Sequence, residues 1–270
     1  MCTLHFAFYF FPAILALKVF SMDHSLPISL AAEPILHIGS FAVTNALLMS
    51  MLISVVFLLV LLFLPRNLAY VPKGLQNIVE SLFELVNGVV RSIVSDEKVA
   101  LAILPLVATF FLFILINNWA GLLPGVGSIG FYEMHEGAEV FVPLLRGANS
   151  DLNMTLALAC VSVFTLQYMG FKFGGFAYLK KFFNFSGVID AFIGLLELLS
   201  DIVKIFSFSF RLFGNVFAGE VLLIVIGAFV PYVAPIPFLG LELFAGGVQA
   251  LVFSMLTIAF INMATSHEHH

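Results

Sequence analysis

Arg211 and Glu220 mark the two ends of "RLFGNVFAGE", residues 211–220, in a stretch otherwise dominated by apolar residues. A guanidinium stays protonated throughout the working pH range, so Arg211 cannot hand on a proton. It can hold a carboxylate in its charged form, or repel a cation. At mid-bilayer a charged side chain costs about 3 kcal/mol on insertion scales, so it requires water, a partner or both. Glu220 lies nine residues on and points about 180° away around a helix. That spacing rules out an intrahelical ion pair between the two. Further along, Glu242 and Gln249 are seven residues apart and share a helix face. A lone glutamine there reads as an interhelical hydrogen bond. Two glutamates on neighbouring apolar helices point instead to a proton or ion path.

These residues belong to a longer pattern. On a helical wheel over 187–230, Asp190, Glu197, Asp201, Lys204, Arg211 and Asn215 share an arc of roughly 80°. Ser200 and Ser207 flank it. Around Asp190 a solvated surface face would explain the stripe. Around Arg211, between "KIFSFSF" and "LFGNVFAGEVLLIVIGAFV", it would not. Ser207, Gly214 and Ala218 border the arginine, and small residues at such spacing let another helix come close.

The elements that must position this stripe are membrane helices. The chain has 270 residues, 61% hydrophobic and 10% charged, far from the make-up of a soluble domain. Its net charge of −5 says little about nucleic acid in such a chain. The two cysteines, Cys2 and Cys160, and the scattered histidines form no disulfide framework or metal-ligand spacing. Runs of about 20 apolar residues suffice to cross the hydrocarbon. They predict spans at 41–64, 100–123, 152–171 and 239–264, with an amphipathic surface helix at 72–95. The fold class expected is all-α and membrane-integral, with about five embedded helices, the last two forming a long, strongly tilted hairpin. Gly187 to Val230 contains no proline; as one helix it measures roughly 60 Å, twice the hydrocarbon thickness, so it cannot stand upright. "PYVAPIPF", 231–238, breaks it.

Residues 124–151 read as a loop of mixed polarity in which Arg146 is the one base among Glu133, Glu136, Glu139 and Asp151. Asp151 is placed to cap the helix that follows it. Arg66, Lys73, Arg91 and Lys98 lie between the first two spans, and Lys172, Lys180 and Lys181 follow the third. The positive-inside rule then puts the N-terminus outside and the C-terminus in the cytoplasm. Residues 1–32 form an N-terminal extension or signal segment, although a basic start is missing. Residues 33–270 form a single membrane domain. The His267, His269 and His270 tail reads as a solvated polar end.

Four ordered blocks carry a family resemblance: "NNWAGLLPG", "DLNMTLALA", "RLFGNVFAGE" and "VQALVFSMLTIAFINMA". Together they resemble subunit a of the rotary F-type ATP synthase, in its bacterial or chloroplast-like form, from Glu33 to the C-terminus. The resemblance implies a stator subunit without catalysis of its own, beside a ring of c subunits, with two offset aqueous half-channels. Arg211 would be the essential arginine between them. Glu197, Ser200, Asp201 and Ser207 would lie toward the inner half-channel. Asn118, Asn153, Glu220 and Glu242 would line the outer one, and Asn215 and Gln249 would sit close to the arginine. Many bacterial relatives carry histidine where Glu242 stands, so here two carboxylates face each other and are expected to share a proton. The resemblance implies the c-subunit ring, the b subunits of the peripheral stalk, the rest of the enzyme and membrane lipid as partners. It implies no cofactor and no nucleic acid, and the bacterial plasma membrane rather than the thylakoid.

Two other classes remain to be weighed. A secondary ion-coupled transporter would show internal repeats and helices broken at mid-membrane; the charged helix reads as continuous, and its stripe is not repeated. A membrane protease would need a Ser/His, paired-Asp or zinc constellation, and no histidine falls in a span after residue 41.

Overall fold

The computed structural model describes residues 32–39, 41–63, 74–123, 125–127, 129–135, 138–180, 182, 187–230 and 233–266. The N-terminal extension, Arg66, Lys73, Glu136, Lys181 and the terminal histidines lie outside the described residues.

The order of elements is β1 (Pro34–Ile38), β2 (Phe41–Thr44), α1 (Asn45–Phe63), α2 (Leu75–Ile93), α3 (Glu97–Gly121), β3 (Gly130–His135), β4 (Ala138–Pro143), a 3-10 turn (Ala148–Ser150), α4 (Leu152–Lys180), α5 (Val188–Phe229) and α6 (Pro235–Ser266). This is an all-α membrane protein carrying two small β-hairpins. Four helices are long and apolar enough to cross a membrane: Glu97–Gly121, Leu152–Phe176, Ile189–Phe229 and Pro235–Thr265. A shorter apolar helix covers Asn45–Val60.

Several boundaries differ from the sequence reading. The first span begins at Asn45, because residues 41–44 form β2 and pair with β1, His37 opposite Ala42. Hydropathy cannot separate a short apolar strand from a helix start. The stop signal was present, however: the Thr44 hydroxyl accepts the Leu47 amide at 3.3 Å as a helix N-cap. Residues 124–151 are not plain loop, since β3 and β4 pair antiparallel from Gly130↔Pro143 to His135↔Ala138. Tyr132 stands opposite Phe141 with ring centroids 5.4 Å apart, a cross-strand aromatic pair. α6 starts inside the proline-rich breaker, because prolines in a first helical turn forfeit no helical hydrogen bond.

α4 runs past its predicted end to Lys180, bending at Gly175, where φ is 54° and ψ is −144°. Only glycine adopts that conformation without strain. The bend brings the Tyr178 ring against Gly170, where an added Cβ would lie 2.5 Å from the ring.

Contacts divide the chain into two compact units, each assembled from separate stretches. The first comprises Met1–Val56, Ile114–Met154 and Leu212–Gln249; the second comprises Phe57–Phe113, Thr155–Arg211 and Ala250–His270. Within the first, Asn215 on α5 bonds to Ala245 on α6, and Gly219 meets Glu242. Within the second, Lys204 lies over the Phe260 ring, and Phe208 packs on Phe253. In each unit numbers rise along α5 as they fall along α6, so the two helices run antiparallel, as the hairpin reading required. The second unit's core centres on Phe253, 1% exposed, whose ring meets Phe110 at 5.5 Å and Phe208 at 5.1 Å. Ser162 and Thr257 join α4 to α6 there at 2.8 Å, and Thr155 and Ser209 join α4 to α5 at 3.1 Å.

Candidate ion-path residues

In the first unit, carbonyls of α6 receive side chains from two other helices. Asn118 of α3 donates to Gly246 O at 2.9 Å, Trp119 of α3 to Leu243 O at 3.0 Å, and Asn215 of α5 to Ala245 O at 3.4 Å. A carbonyl has two lone pairs, so these bonds add to the helical ones. The buried Asn118 also accepts from Asn149 at 2.7 Å. Glu242, next to Leu243, is buried. Its carboxyl rests on Gly219, where any Cβ would overlap it. Gln249 is buried too, and its Nε2 has no hydrogen-bond partner among the described residues.

Glu220 follows Gly219 and faces a base. Arg146 Nε stands 3.4 Å from Glu220 Oε1, and Arg146 Nη2 stands 3.4 Å from Oε2. From sequence Glu220 is matched with Glu242, and nothing there brings Arg146 to it. The signal available was its standing as the lone base in an acidic stretch. Asn153 sits elsewhere in this unit's bonding pattern. It is exposed, and both its amide and its side chain donate to Asp151 Oδ1, at 3.1 and 3.3 Å. Asp151 thus caps α4 as expected.

The second unit holds the rest. Asp201 accepts from Lys204 at 2.7 Å and from Gln167 of α4 at 2.5 Å. Gln167 in turn accepts from the Tyr178 hydroxyl at 2.9 Å. Burial, then the charges of Asp201 and Glu197, push the Tyr178 phenol up to about 12. The Lys204 ammonium lies 5.1 Å from the Phe260 centroid, a cation–π contact. Neither Gln167 nor Tyr178 was singled out from sequence. A lone glutamine on an apolar helix carries no periodic signal, and the Gly175 bend that returns Tyr178 is tertiary.

Glu197 is half-buried and Ser200 exposed. Arg211 is exposed, and its Nη2 reaches only the Ser207 hydroxyl one turn back, at 3.5 Å. No carboxylate among the described residues forms an ion pair with it. A guanidinium thus stands exposed on an apolar helix.

The family model described as "ATP synthase A chain" matches residues 47–262. The curated ATP synthase subunit a of Gloeobacter violaceus (strain ATCC 29082 / PCC 7421) is 33% identical over 233 residues, covering 86% of each chain. A match across the apolar helices and both units, at that identity and coverage, shows that this multi-pass membrane chain belongs to the F-type ATP synthase subunit a family, whose members are non-catalytic proton-transport subunits of the membrane sector.

Proposed function

We propose that this chain is the stator of the membrane sector, with Arg211 dividing two half-channels at the face of the c-subunit ring. The supporting observation is the exposed arginine on an apolar helix, paired with no acid of the described chain. A charge so placed needs an external partner, and a ring carboxylate supplies one. Pairing keeps that carboxylate ionised as it passes, so its proton leaves to one side. The fixed positive charge also blocks direct passage of protons between channels. Asn118, Asn153, Glu220 and Glu242 line the outer path, with Asn215 one turn beyond the arginine on α5 and Gln249 on α6. Glu197, Ser200, Asp201 and Ser207 line the inner one. A proton entering from one side must then ride the ring to leave by the other, which converts ion flow into rotation.

The 42 residues of α5 measure about 63 Å, so α5 inclines in the bilayer or extends beyond it. Its continuity argues against the broken helices of a secondary transporter. The b subunits of the peripheral stalk hold the chain against rotation. Residues 33–270 act as one membrane domain in the bacterial plasma membrane, N-terminus outside and C-terminus in the cytoplasm. Arg211→Ala in the reconstituted enzyme tests this: ATP-driven proton pumping should vanish while the subunit stays assembled. Pumping that survives the substitution sinks the stator reading.

A further inference from the structure

The stripe of α5 carries two bases, Lys204 and Arg211, seven residues apart on one face. Their surroundings differ. Arg211 is exposed and reaches the Ser207 hydroxyl at 3.5 Å. Lys204, with 19% of its side chain exposed, donates to Asp201 Oδ1 at 2.7 Å and lies over the Phe260 ring. The other oxygen of that carboxylate, Oδ2, accepts from Gln167 Nε2 of α4 at 2.5 Å. Gln167 Oε1 in turn accepts from the Tyr178 hydroxyl at 2.9 Å. The Gly175 bend fixes Tyr178, laying its ring on Gly170, three residues from Gln167 on α4. Its phenol, pushed up to about 12 chiefly by burial, remains a donor at working pH. Both ends of the Gln167 amide and both oxygens of the Asp201 carboxylate are therefore engaged. An amide does not titrate, so the chain of bonds from Tyr178 to Lys204 fixes a carboxylate and is no proton relay.

We propose that Gln167 and Tyr178 are positioning residues of the inner path: they hold Asp201 against Lys204 and so keep a second positive charge from obstructing that path. This rests on the stator reading above and extends it to two residues of α4. A fixed cation beside a proton path is a barrier, which is the use made of Arg211. By the same reading Lys204 stands on the inner side of Arg211, where a barrier would stop the flow. With Asp201 against it, the charge of the ammonium is offset where the path passes. A pair at this spacing on one helix is weakly held by itself, and its carboxylate is free to turn away. The amide from α4 takes the second oxygen and removes that freedom.

The test uses the whole enzyme in inverted membrane vesicles and reads ATP-driven proton pumping against the measured subunit a content. Gln167→Met keeps the side-chain length but neither hydrogen bond, and should cut pumping about tenfold at normal content. Tyr178→Phe frees only the far end of the amide and should cut it about threefold. Asp201→Asn sets one amide against another and should match Gln167→Met. Exchanging the two groups, Gln167→Glu together with Asp201→Asn, preserves all three hydrogen bonds. The new carboxylate accepts from Tyr178 and from the new amide, whose oxygen accepts from Lys204. The exchange should recover pumping to within about threefold of wild type, a coupling that independent sites do not show. Wild-type pumping by Gln167→Met or Tyr178→Phe, or an assembled exchange variant no better than Asp201→Asn, overturns the proposal. If the exchange variant fails to assemble, Lys204→Gln added to Gln167→Met decides. Removing the uncovered charge should recover pumping, and no recovery at normal content overturns the proposal. Arg211→Ala in the same vesicles separates the two ideas. Pumping there defeats the stator reading, whereas its loss beside a failed rescue defeats only the part played by Gln167 and Tyr178.

Discussion

Gly219 and Glu242 occupy each other's space: the Glu242 carboxyl fills the position that a Cβ on residue 219 would take. A methyl group there must displace the carboxyl, because the opposing atoms belong to a buried side chain. Gly219→Ala should therefore strongly impair proton pumping without preventing assembly, and the shorter Glu242→Asp should restore part of it. Pumping unchanged by Gly219→Ala would show that the carboxyl's position is immaterial.

Asn118 serves as acceptor to Asn149 and donor to Gly246 O, both buried. Asn118→Ala removes both bonds and leaves the Asn149 amide only its 3.5 Å bond to Ile114 O, a loss of about 1–3 kcal/mol. It should appear as a lower midpoint when the detergent-solubilised protein is heated. Asn118→Gln, which keeps the groups and adds a methylene, tests whether geometry or mere polarity matters. A wild-type midpoint for the alanine variant would count against these bonds.

The Tyr178 phenol, raised from 10.0 to about 12 chiefly by burial, gives the folded state a pH-dependent component. The folded protein favours the neutral phenol, so its stability is intact below the unfolded value. It declines as pH climbs from 10.0 toward about 12, where the unfolded chain ionises first. Tyrosinate absorbance of wild type minus Tyr178→Phe should show a transition in the upper part of that window. A transition near 10.0 would mean that the bend does not bury Tyr178.

Gly175 sits at φ 54° and ψ −144°, where a side chain is strained. Gly175→Ala should cost about 1–3 kcal/mol and loosen the Tyr178–Gln167 bond. A matched thermal melt with Tyr178→Phe checks the link, since the two losses should add to less than their sum.

Most of the helical framework was legible without coordinates, because hydropathy and helical period are properties of neighbouring residues. α5 was bounded to within a residue at each end: Gly187–Val230 was expected, and Val188–Phe229 is observed. The strands were missed because each is too short for a period to register, four residues at Phe41–Thr44 and six at Gly130–His135. The capping role of Asp151 was also readable, since a cap acts across two residues.

By itself the sequence determined that the protein crosses a membrane and that one long apolar helix bears a stripe of charge ending at Arg211. Family membership also rests on its blocks of residues. Only the tertiary structure decided which groups meet: Arg146 with Glu220 across 74 positions, and Gln167 with Asp201 across 34. The difference is physical. Hydropathy accumulates along the chain and can be summed there, whereas an ion pair depends on where two distant segments return, and that is set by the packing of everything between them.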